Sequence, residues 1–320
     1  IKLAAAFEAV GIVLLLFAFV PQFGAEGVWV SVFTAISAFC NAGFDLFGRF
    51  GAYSSLVPYV NNYYVQAVIM FMIMAGGLGF MVWVELAEYR KKRRLSLHAK
   101  VVLQFSVIFW VGGAVLLALL EWSNPRTMGG LSVPGKIMAA LFQSVSTRTA
   151  GMNTIDLAAC SPISKLLMSV LQFIGAAPGS TGGGVKVTTF AVLILTIRSV
   201  AQGRDDCVIG GHHIESKTVY RALTIIVIGA VAAFGSAVVV YYNTAETVSV
   251  IDCIFESCSA FGTVGLSVGV TGQLNTGAKL LYMACMFMGR VGPVSLAISL
   301  TAKPDDNKRK VLPVGHINVG

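Results

Sequence analysis

Phe255-Glu-Ser-Cys-Ser259-Ala-Phe-Gly-Thr-Val-Gly265-Leu266 decides the fold, because two other stretches of the chain repeat its pattern. They are Phe33-Thr-Ala-Ile-Ser37-Ala-Phe-Cys-Asn-Ala-Gly43-Phe44 and Phe142-Gln-Ser-Val-Ser146-Thr-Arg-Thr-Ala-Gly151-Met152. In each, a Phe and a Ser lie four residues apart, on one face of a helix. Each then runs through small or polar residues into a Gly and a large apolar residue. The Ser-to-Gly distance is six, five and six residues in chain order, so the middle copy is one residue short. A long apolar segment precedes every copy: Leu3–Val20, Val101–Leu120 and Val219–Tyr241. Another follows each: Val65–Leu86, Ile163–Arg198 with a break, and Leu280–Ser299.

The solvent for such segments is lipid. Of 320 residues, 56% are hydrophobic and only 12% charged, with a mean hydropathy of +0.78. Soluble domains carry about 25% charged residues, and several of these runs approach the roughly 20 residues a membrane-spanning helix needs. The stretch before each Gly is too short to span, so it reads as a re-entrant half-helix. The unit is therefore helix, pore helix, extended loop, helix. Non-helical backbone at membrane depth is tolerated only where protein buries it or it lines a watery path. The net charge of +8 is not a nucleic-acid surface: fifteen of the 23 basic residues fall on one side of this topology, including Arg90–Arg94, Lys100, Arg198, Arg204, Lys217 and Lys303. That asymmetry assigns the basic side to the cytoplasm. The six cysteines show no CxxC pair or Cys/His ligand spacing, so neither a disulfide framework nor a zinc site is indicated.

Three loops at membrane depth suggest cation chemistry. Rings of backbone carbonyls replace the hydration shell of K+, and Gly supplies permissive backbone without bulk. Gly43, Gly151 and Gly265 fit that role, with Cys40-Asn41-Ala42, Thr149-Ala150 and Gly262-Thr263-Val264 leading in. A tight turn at a helix end is the plainer reading of any one copy. Gly175-Ala-Ala-Pro178-Gly179-Ser180-Thr181-Gly182-Gly183-Gly184-Val185-Lys186 interrupts what would otherwise be one long helix, and Pro178 alone breaks it. Close helix packing is the bland explanation; an unwound gate below the loops is the functional one. The resemblance to a P-loop fails, because Val185 separates Gly184 from Lys186 and no strand precedes. Lys186, expensive in lipid, is expected to face water or a partner. Arg290, deep in the last apolar segment, either faces the pore as a barrier to cations or pairs with helix-end carbonyls. Arg148 is expected to brace the second loop from behind. Gly76-Gly-Leu-Gly79-Phe80 marks a packing or bending site. Asp45, Asp156, Asp252 and Glu256 lie toward the outer side, to attract cations or, for Asp252, to cap a helix.

These residues, together with Arg94-Leu-Ser-Leu-His98, Met152-Asn153 after the middle loop and Gly289-Arg-Val-Gly-Pro293, resemble the Trk/Ktr/HKT superfamily, most of all the KtrB-type membrane subunit of bacterial Ktr. The match runs in order over about residues 1–300. It implies an all-α membrane protein whose units surround a pseudo-fourfold pore: residues 1–96 with a filter at 38–44, 97–203 with a filter at 147–152 and the broken helix at 175–186, 204–302 with a filter at 260–266, and a cytoplasmic tail at 303–320. It also implies K+ held at the filter residues and no other metal, a gate at Pro178–Gly184 with Lys186, and Arg290 facing the path. A homodimer in the bacterial cytoplasmic membrane would bind a cytosolic RCK-type ring that carries ATP or ADP, and no covalent cofactor is expected. Only three filter copies are visible where the family has four, so a first repeat of on the order of 100 residues is expected upstream, as judged by the spacing of the others. The filter residue that distinguishes Na+-preferring relatives would lie there, which leaves a Na+-permeable or Na+/K+ cotransporting member open. An intramembrane enzyme is disfavoured because His98, His212, His213 and His316 all fall on the cytoplasmic side. A secondary transporter with a broken-helix site predicts inverted repeats, whereas these share one orientation.

Overall fold

The computed structural model describes residues 2–51, 53–203, 207–244 and 247–292. The first unit contains α1 (Lys2–Phe23), α2 (Glu26–Phe39), α3 (Tyr63–Gly77) and α4 (Phe80–Lys92). The second contains α5 (Leu97–Glu121), α6 (Val133–Ser146), α7 (Pro162–Phe173) and α8 (Val187–Ala201). A hairpin, β1 (Cys207–Ile209) with β2 (His212–Ile214), leads to the third: α9 (Ser216–Asn243), α10 (Val250–Gly262) and α11 (Thr276–Val291).

Local chemistry places the helix starts. Ser96, Ser132, Ser161 and Ser249 cap α5, α6, α7 and α10, and Asn62 and Asn275 cap α3 and α11, each side chain accepting a backbone N–H of the first turn. Pro134 and Pro162 stand in the first turns of α6 and α7, where no N–H is missed. Three helices, α1, α5 and α9, are long and apolar enough to cross a membrane on their own. Much of their outward face is bare hydrocarbon, as at Phe17, Leu119 and Val231, which are 71%, 74% and 69% exposed. That exposure suits lipid and not water.

The packing repeats with the sequence. Each long helix lies against the short one that follows it, α1 on α2, α5 on α6 and α9 on α10. The next helix of one unit then packs on the short helix of the following unit, α3 on α6 and α7 on α10. The short helices α2, α6 and α10 are consequently surrounded, and their Ser37, Ser146 and Ser259 are buried.

Two expectations need correction, and a third can be followed only in part. The apolar segment Val65–Leu86 is not one helix: α3 and α4 meet at a 98° bend. Gly79 sits there with φ +85°, and a Cβ on it would come within 2.6 Å of the Pro178 carbonyl oxygen. The fold is not purely helical, because Gly210 (φ +55°) and Gly211 (φ +80°) form a hairpin turn that needs positive φ at both positions. The last helix, expected over Leu280–Ser299, spans Thr276–Val291, and Pro293, residues beyond it and the tail at 303–320 lie outside the described residues. So does Arg204.

Candidate functional site

The short helices end at Phe39, Ser146 and Gly262, and the chain leaves each by the same backbone step. Asn41 (φ 50°), Thr149 (φ 77°) and Thr263 (φ 52°) are left-handed, and two residues on so are Gly43 (φ 74°), Gly151 (φ 80°) and Gly265 (φ 93°). Ala42, Ala150 and Val264, between them, are not. Reversing the hand at alternate residues lets main-chain oxygens that a strand would point to opposite sides gather on one. A β-branched Thr in this conformation is strained, by on the order of 1–3 kcal/mol. Cys40 and Gly262, expected in the loops, belong to the helix ends: Cys40 is the C-cap of α2 and Gly262 the last residue of α10.

The motif serines explain how the step is held. Ser37 Oγ donates to the Phe44 carbonyl at 2.6 Å, and Ser259 Oγ to that of Leu266 at 2.6 Å. Ser146 Oγ donates to the Met152 carbonyl and accepts from Met152 N at 3.0 Å. Each serine thus clamps the residue after the loop glycine. The serine carbonyls accept in turn from Ala42 N (2.9 Å), Ala150 N (3.0 Å) and Val264 N (2.9 Å). This turn closes over five residues in the outer two copies and four in the middle one, which is where the missing residue went.

The three loops converge. A Cβ on Gly43 would lie 2.9 Å from the Ala150 oxygen, 3.1 Å from Gly151 Cα and 3.4 Å from the Val264 oxygen. On Gly151 it would overlap the Val264 oxygen and reach Gly43 Cα at 3.0 Å, and on Gly265 it would reach Gly151 Cα at 3.7 Å. Thr149 Oγ1 and both polar atoms of the Asn41 amide are buried there without a hydrogen-bond partner.

Directly beneath runs the segment between α7 and α8. A Cβ on Gly182 would overlap Thr149 Oγ1, and one on Gly183 would overlap Thr263 Oγ1. Thr181 Oγ1 donates to the Phe39 carbonyl at 3.0 Å, so the segment touches all three loop bases. It is tied down from below as well. Ala177 N donates to the Gly77 oxygen (3.0 Å), Thr181 N to that of Gly76 (3.2 Å) and Gly184 N to that of Gly289 (3.1 Å), while Phe80 N donates to the Gly179 oxygen (3.1 Å). Ser180 Oγ closes a turn onto the Ala177 oxygen at 2.5 Å, beside Pro178.

Three cations gather around this segment. Arg290 Nη1 donates to the Thr181 carbonyl, and Lys186 Nζ to that of Gly182 at 2.7 Å. The partner expected for Lys186 is therefore the segment itself. Arg148, 4% exposed, donates from Nη2 to the Gly175 oxygen at 2.6 Å and stacks 5.0 Å over the Phe109 ring, behind the middle loop. On the outer side the acids have structural work. Glu256 is buried and accepts from Ser267 Oγ (2.7 Å), Val268 N (3.0 Å), Thr271 N (3.0 Å) and Thr271 Oγ1. Asp252 pairs with Lys165 at 2.7 Å and leaves the capping of α10 to Ser249. Asp45 and Asp156 each accept a backbone N–H two residues on, from Phe47 and Ala158.

Two features escaped the sequence reading. Gly76-x-x-Gly79 and Gly289-x-x-Gly292 are the same step: Gly76 and Gly289 lie against the carbonyls of Phe39 and Phe261, each two residues past its clamp serine. The shared spacing was the available signal. Glu8 of α1 stands 3.9 Å from Cys40 Sγ, at the foot of the first loop. A carboxylate inside an apolar helix was its signal.

Residues 1–310 match the TrkH family, described as a cation transport protein. The potassium/sodium uptake protein NtpJ of Enterococcus hirae is 36% identical over 306 residues, covering 95% of this chain and 66% of that protein. The Ktr system potassium uptake protein B of Bacillus subtilis is 33% identical, covering 98% and 68%, and that of Vibrio alginolyticus 38%, covering 93% and 64%. The chain thus spans about two thirds of the length of these relatives. The crystal structure of the potassium transporter TrkH from Vibrio parahaemolyticus superposes with a TM-score of 0.74 at 19% identity, over 93% of this chain and 62% of that one, a likeness of fold. The family description is of transport, not of catalysis, in agreement with the reading against an enzyme.

Proposed function

The chain belongs to the TrkH family of cation transport proteins, and from that premise we propose that it carries K+ into the bacterial cytoplasm through its three converging glycine loops. Asn41–Gly43, Thr149–Gly151 and Thr263–Gly265 would supply three quarters of a pseudo-fourfold filter, one from each of the units 1–96, 97–203 and 204–302. The observation that carries the reading is the placement of Gly182 and Gly183 under Thr149 and Thr263, with Thr181 against Phe39. A segment that obstructs the foot of three carbonyl-lined loops suits a gate better than a packing insert.

The chemistry follows from the residues. A K+ ion entering the loops exchanges water for main-chain oxygens, and the serine clamps keep the spacing of those oxygens. Below, the Pro178–Gly184 segment and Lys186 obstruct passage, and Arg290 adds a positive charge that raises the barrier to a cation. Opening requires the Arg290–Thr181 and Lys186–Gly182 bonds to release. Two relatives are named as one protein of a Ktr system, and we assign the biasing of that release to a cytosolic nucleotide-binding ring that holds ATP or ADP. We place a homodimer of the chain on that ring, reached through Arg90–Arg94, the loop from Arg204 to Lys217 that holds the hairpin, and the tail from Lys303. One relative's name, potassium/sodium uptake protein, favours a second reading in which Na+ also passes.

Growth of a K+-uptake-deficient strain at low K+ tests the proposal. The wild type should restore growth, and Gly265→Ser should shift the K+/Na+ preference. Rescue with unchanged preference in that variant contradicts the assignment of the loops.

A further inference from the structure

A cavity of about 430 Å3 opens where α5 begins, α8 ends and the hairpin folds back on both. Its volume falls within the range of ligand pockets, roughly 300–1,000 Å3. Two kinds of surface line it. Lys100, Gln104 and Arg198 of the lining are exposed, while Val101 is buried and Phe105 and Leu195 half-buried. The α5 residues recur at three- and four-residue steps, as do those of α8, so each helix offers one coherent face. Lys100 lies in the first turn of α5, where the helix dipole adds positive potential. Among the described residues neither Lys100 nor Arg198 has a carboxylate partner.

The surroundings select the ligand. On α5 the neighbouring outward residues Val107 and Ile108 are 50% and 57% exposed, and on α8 Ile197 and Val200 are 56% and 64% exposed. The cavity is therefore flanked by outward-facing apolar side chains and carries two cations without a carboxylate partner among the described residues, on the side the charge asymmetry assigns to the cytoplasm. We propose that this cavity holds an anionic phospholipid of the cytoplasmic leaflet, its phosphate between Lys100 and Arg198 and an acyl chain along Phe105 and Leu195. The lipid would brace the hairpin, whose Cys207 and Ile209 pack with Val101 and Ala191. A soluble organophosphate shares the charge but has no use for the apolar wall. The site stands on the membrane orientation alone and survives if the transport reading fails.

The test is native mass spectrometry of the purified protein from nanodiscs of equal phosphatidylglycerol and phosphatidylcholine. The wild type should retain phosphatidylglycerol preferentially. Lys100→Gln and Arg198→Gln should each lower that preference about fivefold, as expected for one cation near a membrane surface, while Lys136→Gln on the outer side leaves it unchanged. Gln104→Trp, which fills the cavity without altering charge, should lower retention too, and the melting temperature of each variant reports folding. Equal retention of both lipids by the wild type, no effect of the cavity variants in folded protein, or displacement of the lipid by glycerol 3-phosphate at equal concentration overturns the proposal.

Discussion

Ser259 shows how much one hydroxyl does here. Its bond to the Leu266 carbonyl fixes the exit of a loop that contains a strained Thr and a left-handed Gly. A bond of this kind contributes about 1 kcal/mol net. Ser259→Ala should therefore cut the preference for K+ over Na+ about fivefold, measured by competition against Rb+ uptake, with insertion intact. Wild-type preference in that variant would leave the clamp a purely structural contact. The Phe-to-Ser spacing made the shared helix face legible. The clamp was not, since its acceptor lies six or seven residues on and meets the hydroxyl only after the loop turns. Nor does the sequence reveal the positive φ of Thr149 and Thr263, because threonine rarely adopts it. The outer acids misled for a related reason: Glu256 looks free in sequence and is consumed by four hydrogen bonds in the fold.

Among the elements, the segment from Gly175 to Lys186 is the one whose role can be tested apart from the loops. Four glycines and a proline in seven residues made its break legible, but not what it touches. Those partners, Thr149, Thr263, Phe39 and Gly76, come from distant parts of the chain. Arg290→Ala removes a charged donor from the Thr181 carbonyl, a bond worth about 1.5–3 kcal/mol. If the segment gates the path as proposed, it should loosen, and Rb+ flux into proteoliposomes should rise tenfold or more. Because Gly184 N still bonds the Gly289 oxygen, the protein should remain folded. Gly182→Ala forces a methyl onto Thr149 Oγ1 and should also raise flux, as should shortening Gly179–Gly184. Unchanged flux in all three would leave the segment only a packing role. The bend at Gly79 was visible as an interruption of the apolar run. Its 98° angle depends on Pro178 across the interface, which local sequence does not encode.

The whole molecule is held by contacts between units, and the Lys165–Asp252 pair joins the second to the third. Both side chains are largely buried, at 10% and 23% exposure. Asp252→Asn strands the ammonium and should destabilise by about 2–4 kcal/mol, read as a melting shift in detergent, while Lys165→Met with Asp252→Leu should recover much of the loss. Equal melting of the single variant and the wild type would show the pair to be dispensable. At this scale the repeat was the most legible feature, since three copies recur in equivalent surroundings and each leaves its helix by the same left-handed step. The hairpin and its cavity were not, because six short-strand residues carry no apolar period and their partners lie on α5 and α8. The central claim is that three loops make one ion filter. The measurement that tests it most directly is K+ against Na+ competition for Rb+ uptake in proteoliposomes carrying Gly43→Ser, Gly151→Ser or Gly265→Ser. The account predicts that every variant that inserts loses K+ preference in the same direction, and that Gly151→Ser, which crowds both neighbours, loses most. Undiminished K+ preference in an inserted Gly151→Ser protein would contradict it.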